Sequence, residues 1–205
     1  MQTTKQVYQD ERYAMLRTEN NKLKVLDTYQ ELLQDYLSDE DKAFIYRQVG
    51  IIYFYDLNSL EEGEQAFIES LKYDKYDGYT LLNLAKIYEK KGNLYTSKVE
   101  EYYKKAATAQ PIYKIDLAKY YIRTGKTAEA INVFNNSEVY QYNNFNMGLF
   151  LKGIAHFFAQ NEPKAEKLIV KCGINHMSAL CEIPKLELPI GKGAYLKEKT
   201  SMKTK

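Results

Sequence analysis

The stretch LLNLAKIYEKKGN, Leu81 to Asn93, decides the fold. Leu81, Leu84, Ala85 and Tyr88 recur at the spacing that brings side chains onto one face of an α-helix, and Lys91-Gly92-Asn93 reads as a helix stop. The same pattern, a small residue set between larger ones, returns as Tyr46-x2-Val49-Gly50-x2-Tyr53, Lys114-x2-Leu117-Ala118-x2-Tyr121 and Leu149-x2-Lys152-Gly153-x2-His156. The small residues stand at 50, 85, 118 and 153, so the steps are 35, 33 and 35. That is the period of a helix-turn-helix repeat, about 34 residues.

A second helix in each unit keeps the same register. Phe67/Ser70, Tyr103/Ala106, Phe134/Ser137 and Ile169/Cys172 pair a large residue with a small one three positions on, and Gly63, Val99, Ala130 and Ala165 stand seven before each small one. These positions resemble the tetratricopeptide repeat (TPR) family, with its W-x2-L-G-x2-Y, A-x3-F and closing P. The resemblance covers four units over roughly 43–173, with departures at Val99, at about two extra residues near Tyr95 to Lys98, and in a closing proline matched by Pro111 alone. It implies an all-α fold, a right-handed superhelical array of antiparallel helix hairpins. Small residues then mark close helix crossings, and a single hairpin cannot bury its apolar face without stacked neighbours.

Outward from the repeats, residues 1–37 read as N-terminal helices of a degenerate first repeat. Leu23, Leu26, Tyr29, Leu32, Leu33 and Tyr36 form a stripe at helical spacing there, with Val7, Tyr8, Met15 and Leu16 suggesting a partner helix. Residues 38–173 hold the four hairpins, opened by the capping-box spacing of Ser38-Asp39-Glu40-Asp41. Residues 174–205 read as a short helix or irregular structure, ending in a basic tail of four lysines and one glutamate over 197–205.

Composition agrees. The chain has 205 residues, ten glycines and four prolines, which leaves little room for a β-rich fold. Lys and Arg number 29 against 27 Asp and Glu, a net charge of +2 that gives no sign of a nucleic-acid binder. No run reaches the roughly 18 apolar residues of a membrane span. The expected location is the cytoplasm, or the periplasm if a signal sequence has been removed. Cys172 and Cys181 suit neither a zinc site nor a redox CxxC pair.

Three stretches bear on chemistry. Gly125-Lys126-Thr127 matches the tail of a phosphate-binding loop, but Tyr120 stands where the first glycine is needed and a helical segment stands where a strand is needed. Gly125 instead suits the turn of a hairpin. Gly191-Lys192-Gly193 reads as a flexible turn, and His156 takes a place the repeat gives to a packed aromatic. No nucleophile, metal or cofactor constellation stands out, and the expectation is a chain without catalysis or cofactor.

Surface recognition is the remaining class. In TPR arrays the first helices line a concave groove that holds an extended peptide or a partner helix. By that register the groove carries Arg47, Ile51, Phe54 and Tyr55, then Tyr79, Leu82, Asn83, Lys86 and Lys90. Ile115, Lys119, Ile122 and Arg123 follow, and then Met147, Phe150, Ile154 and Phe157. Cations gather in the middle, so the partner expected is another protein's segment, acidic near Lys86 and Lys119. Asn83 matches the TPR subset that clamps chaperone C-termini, but Ile51, Ile112 and Asp116 do not. The resulting reading is an adaptor or scaffold, with a bacterial envelope assembly factor for pilus or secretion machinery and a regulatory subunit of an enzyme complex as alternatives. The C-terminal segment filling the groove, and a homodimer through an uncapped array end, both stay open.

Overall fold

The computed structural model describes residues 11–16, 19–133, 141–142 and 145–146. The chain divides into two compact units, residues 1–110 and 111–205. The calls on Phe134, Phe150, His156, Cys172, Cys181 and the basic tail lie outside the described residues.

In the first unit, α1 (Glu11–Leu16), α2 (Lys22–Leu32), α3 (Asp39–Ile51), α4 (Leu60–Tyr73), α5 (Gly78–Lys91) and α6 (Thr96–Ala109) follow in order. Caps set three of the starts. The side chains of Asn21, Ser38 and Asp77 accept from backbone N–H groups in the first turns of α2, α3 and α5. A 3-10 turn, Asn93–Tyr95, takes up the extra residues ahead of α6.

Helices pack in neighbouring pairs, and the small residues are where they meet. Ser70, near the end of α4, donates its hydroxyl to the carbonyl of Ala43, near the start of α3, at 2.8 Å. Gly50, later in α3, lies against the ring of Phe67, so the two helices run antiparallel. A β-carbon at Gly50 would fall 2.7 Å from that ring, closer than packed atoms can approach. In α5 and α6 the equivalent positions Ala85 and Ala106 are fully buried, beside Leu84 and Tyr103. Neighbouring pairs join through Gly63, which sits against Phe54 and Ile87.

Two features differ from the sequence expectation. Beyond α3 the backbone widens into a π-helical turn, Ile52–Asp56, closed by Leu57 N–H donating to the Ile52 carbonyl at 3.0 Å. The N-terminal stripe also splits: Val25, Leu26, Tyr29 and Leu32 are buried with Phe44 and Ile45, while Leu23 is 62% and Tyr36 97% exposed. The cause is that α2 ends at Leu32, so Tyr36 lies past the helix and Leu37 turns inward instead.

The second unit starts with a 3-10 turn, Pro111–Tyr113, then α7 (Lys114–Arg123) and α8 (Thr127–Val133), which pack together. Gly125 makes the connection with φ +76, a left-handed conformation that glycine adopts without steric cost. Helix, not strand, precedes Gly125-Lys126-Thr127, as the repeat register requires. Leu117, Ala118, Tyr121 and Ala130 are buried. Two-residue strands β1 (Gln141–Tyr142) and β2 (Phe145–Asn146) pair antiparallel, Gln141 opposite Asn146. Among the described residues, no helix is long and apolar enough to cross a membrane.

Candidate interaction face on the first unit

The residues of interest lie where α3 and its π-helical turn meet α5. Along α5, Tyr79, Asn83, Lys86 and Lys90 stand four, three and four residues apart, which aligns them on one helix face. Arg47, Ile51 and Tyr55 follow the same rule on the neighbouring element.

Tyr55 links the two. It is 50% exposed, yet its hydroxyl donates to Oδ1 of Asn83 at 2.7 Å. Asn83 is fully buried, and its amide nitrogen donates to the Tyr79 carbonyl at 2.9 Å, which fixes the amide's orientation. The phenol oxygen in turn accepts from Lys86 Nζ at 3.5 Å. Phe54 lies edge-on to Tyr55 with ring centroids 4.6 Å apart, and Lys90 Nζ sits 4.6 Å above the Phe54 ring. The outcome is an aromatic platform flanked by two ammonium groups.

Three of the expected contact residues prove to be core. Phe54 is 3%, Leu82 4% and Asn83 0% exposed, so Phe54 and Leu82 fill space and Asn83 acts by holding Tyr55. Phe54 turns inward because Gly63 opens room beside its Cβ. Arg47, expected as a groove cation, is committed inside the molecule: Nη1 donates to Oδ2 of the buried Asp77 at 2.8 Å. Asp77 also caps α5, accepting from Tyr79 N at 3.1 Å and from Thr80 Oγ1 at 2.7 Å. An Asp directly before an apolar helical run, Asp77 ahead of 78–91, is the sequence signal that could find this cap. Ile51 is half-buried beside the platform.

Lys86 and Lys90 differ from Arg47 in having no carboxylate within ion-pair distance among the described residues. Lys91 shows the contrast one residue on, donating to Glu64 at 2.5 Å and lying 3.3 Å from Glu61. Glu64 also accepts from the Tyr88 hydroxyl. Burial pushes the Glu64 carboxyl up, but the hydrogen bonds from Lys91 and Tyr88 outweigh it and hold the group below its ordinary range. Burial and the bond to Glu64 push the Tyr88 phenol up. This cluster ties α4 to α5 and spends its charges internally.

Lys119 and Arg123 lie on α7 of the second unit, four residues apart and so on one face of that helix. Among the described residues, no group of three or more His, Cys, Asp or Glu is placed to hold a metal ion. No protein-family model and no curated protein matches the chain.

Proposed function

We propose that the chain is a TPR-like helical-repeat protein, a solenoid of stacked hairpins, that acts without catalysis as an adaptor or scaffold. Its partner is a segment of another protein, acidic where it meets the α3/α5 face. One observation carries the reading: Tyr55 is held half-exposed by a buried asparagine, with Lys86 at its hydroxyl and Lys90 over the adjoining Phe54 ring, and neither lysine has a carboxylate within ion-pair distance among the described residues. The half-exposed ring offers an anchor surface of the sort that dominates binding energy, and Lys86 and Lys90 supply charge complementarity that steers an anionic partner and fixes its register.

The basic tail of this chain is a poor occupant for such a face, since its four lysines over 197–205 would meet two more. An acidic segment from elsewhere is favoured on charge alone. The test is affinity capture from cells that make the protein, with the native chain beside a Lys86→Glu/Lys90→Glu variant. Loss of a captured protein by the variant supports the reading, and equal capture by both overturns it.

A further inference from the structure

We infer a second docking site on the first unit: an open cleft of about 830 Å3 that takes an acidic peptide segment anchored by a large apolar side chain. It does not rest on the reading of the α3/α5 face. The cleft lies between the end of α4, the turn before α5, and the last turns of α6. Leu81 marks the separation, standing two residues from both Tyr79 and Asn83 and so roughly 200° around α5 from each.

The floor is apolar and fixed. Leu71, Leu81 and Tyr102 form it, and Leu81 is only 4% exposed. Tyr102 stacks on the buried Tyr88 at 5.4 Å with an interplanar angle of 18°, so its ring is already held in place. At the lip stands Tyr76, 69% exposed, with Lys75 Nζ 4.8 Å from its ring centroid. The volume is several times that of one side chain and the cleft is open to solvent, which fits a stretch of peptide with a bulky anchor better than a small molecule needing enclosure.

Charge selects the flanking residues of the peptide. The charged groups on the walls are Lys75, Lys104 and Lys105 against Glu101. Lys105 pairs with Glu101 at 2.6 Å and Lys104 with the half-buried Glu100 at 2.7 Å, each one turn apart along α6. Such pairs are worth only about 0.3–0.5 kcal/mol, so an incoming carboxylate displaces them at little cost. Lys75 has no carboxylate partner among the described residues.

The experiment titrates the isotope-labelled full chain with a ten-residue peptide, one phenylalanine flanked on both sides by aspartate and glutamate, and follows backbone amide NMR shifts. Saturable shifts are expected over residues 71–81 and 101–109, weakening at least about tenfold when alanine replaces the peptide's phenylalanine. Thr108→Trp, at an exposed wall position, narrows the cleft and should weaken binding by about tenfold, as should Lys75→Glu/Lys104→Glu at low salt. The amide spectrum of each variant reports its folding directly. Binding weakened by Lys86→Glu/Lys90→Glu but not by Thr108→Trp would place the peptide on the other face and overturn the proposal. So would the lack of any saturable shift up to about 1 mM peptide.

Discussion

Tyr55 and Asn83 meet across two helix pairs, the phenol of one donating to the buried amide oxygen of the other at 2.7 Å. Because the amide nitrogen of Asn83 is committed to the Tyr79 carbonyl, the amide's orientation is fixed and its oxygen faces the Tyr55 hydroxyl.

Removing that hydroxyl therefore costs more than a surface change should. Tyr55→Phe leaves a buried acceptor short of its partner and is expected to lower stability by about 1–2 kcal/mol. Combined with Asn83→Ala, the losses should fall short of their sum by about 0.5–1.5 kcal/mol. Urea unfolding of the two single variants and the double variant measures this coupling. Additive losses would mean that the two side chains act separately.

Gly50 admits no side chain while Phe67 keeps its place. Gly50→Ala should destabilise by about 1–3 kcal/mol through overpacking, despite alanine's better helix propensity. Adding Phe67→Leu gives the methyl room, so the double variant should recover part of the steric loss, less the apolar burial given up with the ring. A thermal melt showing Gly50→Ala unchanged or raised would mean that the crossing is looser than the structure shows.

Arg47 and the two lysines should separate cleanly by their effects. Arg47→Ala strands the buried Asp77 carboxylate and is expected to cost about 1–3 kcal/mol. Lys86→Ala and Lys90→Ala should stay within about 0.5 kcal/mol of the parent, since neither cation has a carboxylate partner among the described residues. Urea unfolding midpoints for the three variants decide it.

That contrast shows what the sequence discloses and what it withholds. The register of Gly50, Ala85 and Ala118 is visible because close crossings demand small residues at a fixed period, and the structure buries each of them. The buried second-helix positions Gly63, Val99, Ala106 and Ala130 follow the same logic. The fate of Arg47 is not visible in that way. Its partner stands 30 residues on, at a cap whose carboxylate has a second lone pair to offer only because Thr80 and Tyr79 N leave room for it. The π-helical turn is hidden as well, since Ile52–Asp56 contains neither glycine nor proline to mark it. Periodicity says which face a residue takes, and pairwise geometry says whether it is still available there.

The Glu64–Tyr88–Lys91 cluster makes stability depend on pH at both ends. Glu64 keeps its charge in the native state to lower pH than in the unfolded chain, so its contribution is present above about pH 4.3 and is lost as pH falls through the lower native value. Tyr88 is shifted the opposite way, so its contribution is present below about pH 10 and is lost as pH rises beyond it. Glu64→Gln should be less stable than the parent at neutral pH, with the gap narrowing toward pH 3. Tyr88→Phe should flatten part of the alkaline fall. Unfolding midpoints measured across pH check both limbs, and a constant gap for Glu64→Gln would show that its charge is not what matters.

The central claim is that Tyr55, Lys86 and Lys90 form a face for an acidic segment of another protein. The most direct measurement places a photo-reactive phenylalanine analogue at position 55, irradiates cells that make the protein, and identifies the crosslinked peptide by mass spectrometry. One dominant adduct to a different protein is expected, on a segment where aspartate and glutamate outnumber lysine and arginine, and it should be lost in the Lys86→Glu/Lys90→Glu background. Crosslinks to this chain's own residues 174–205, or an adduct that survives both charge reversals undiminished, would contradict it.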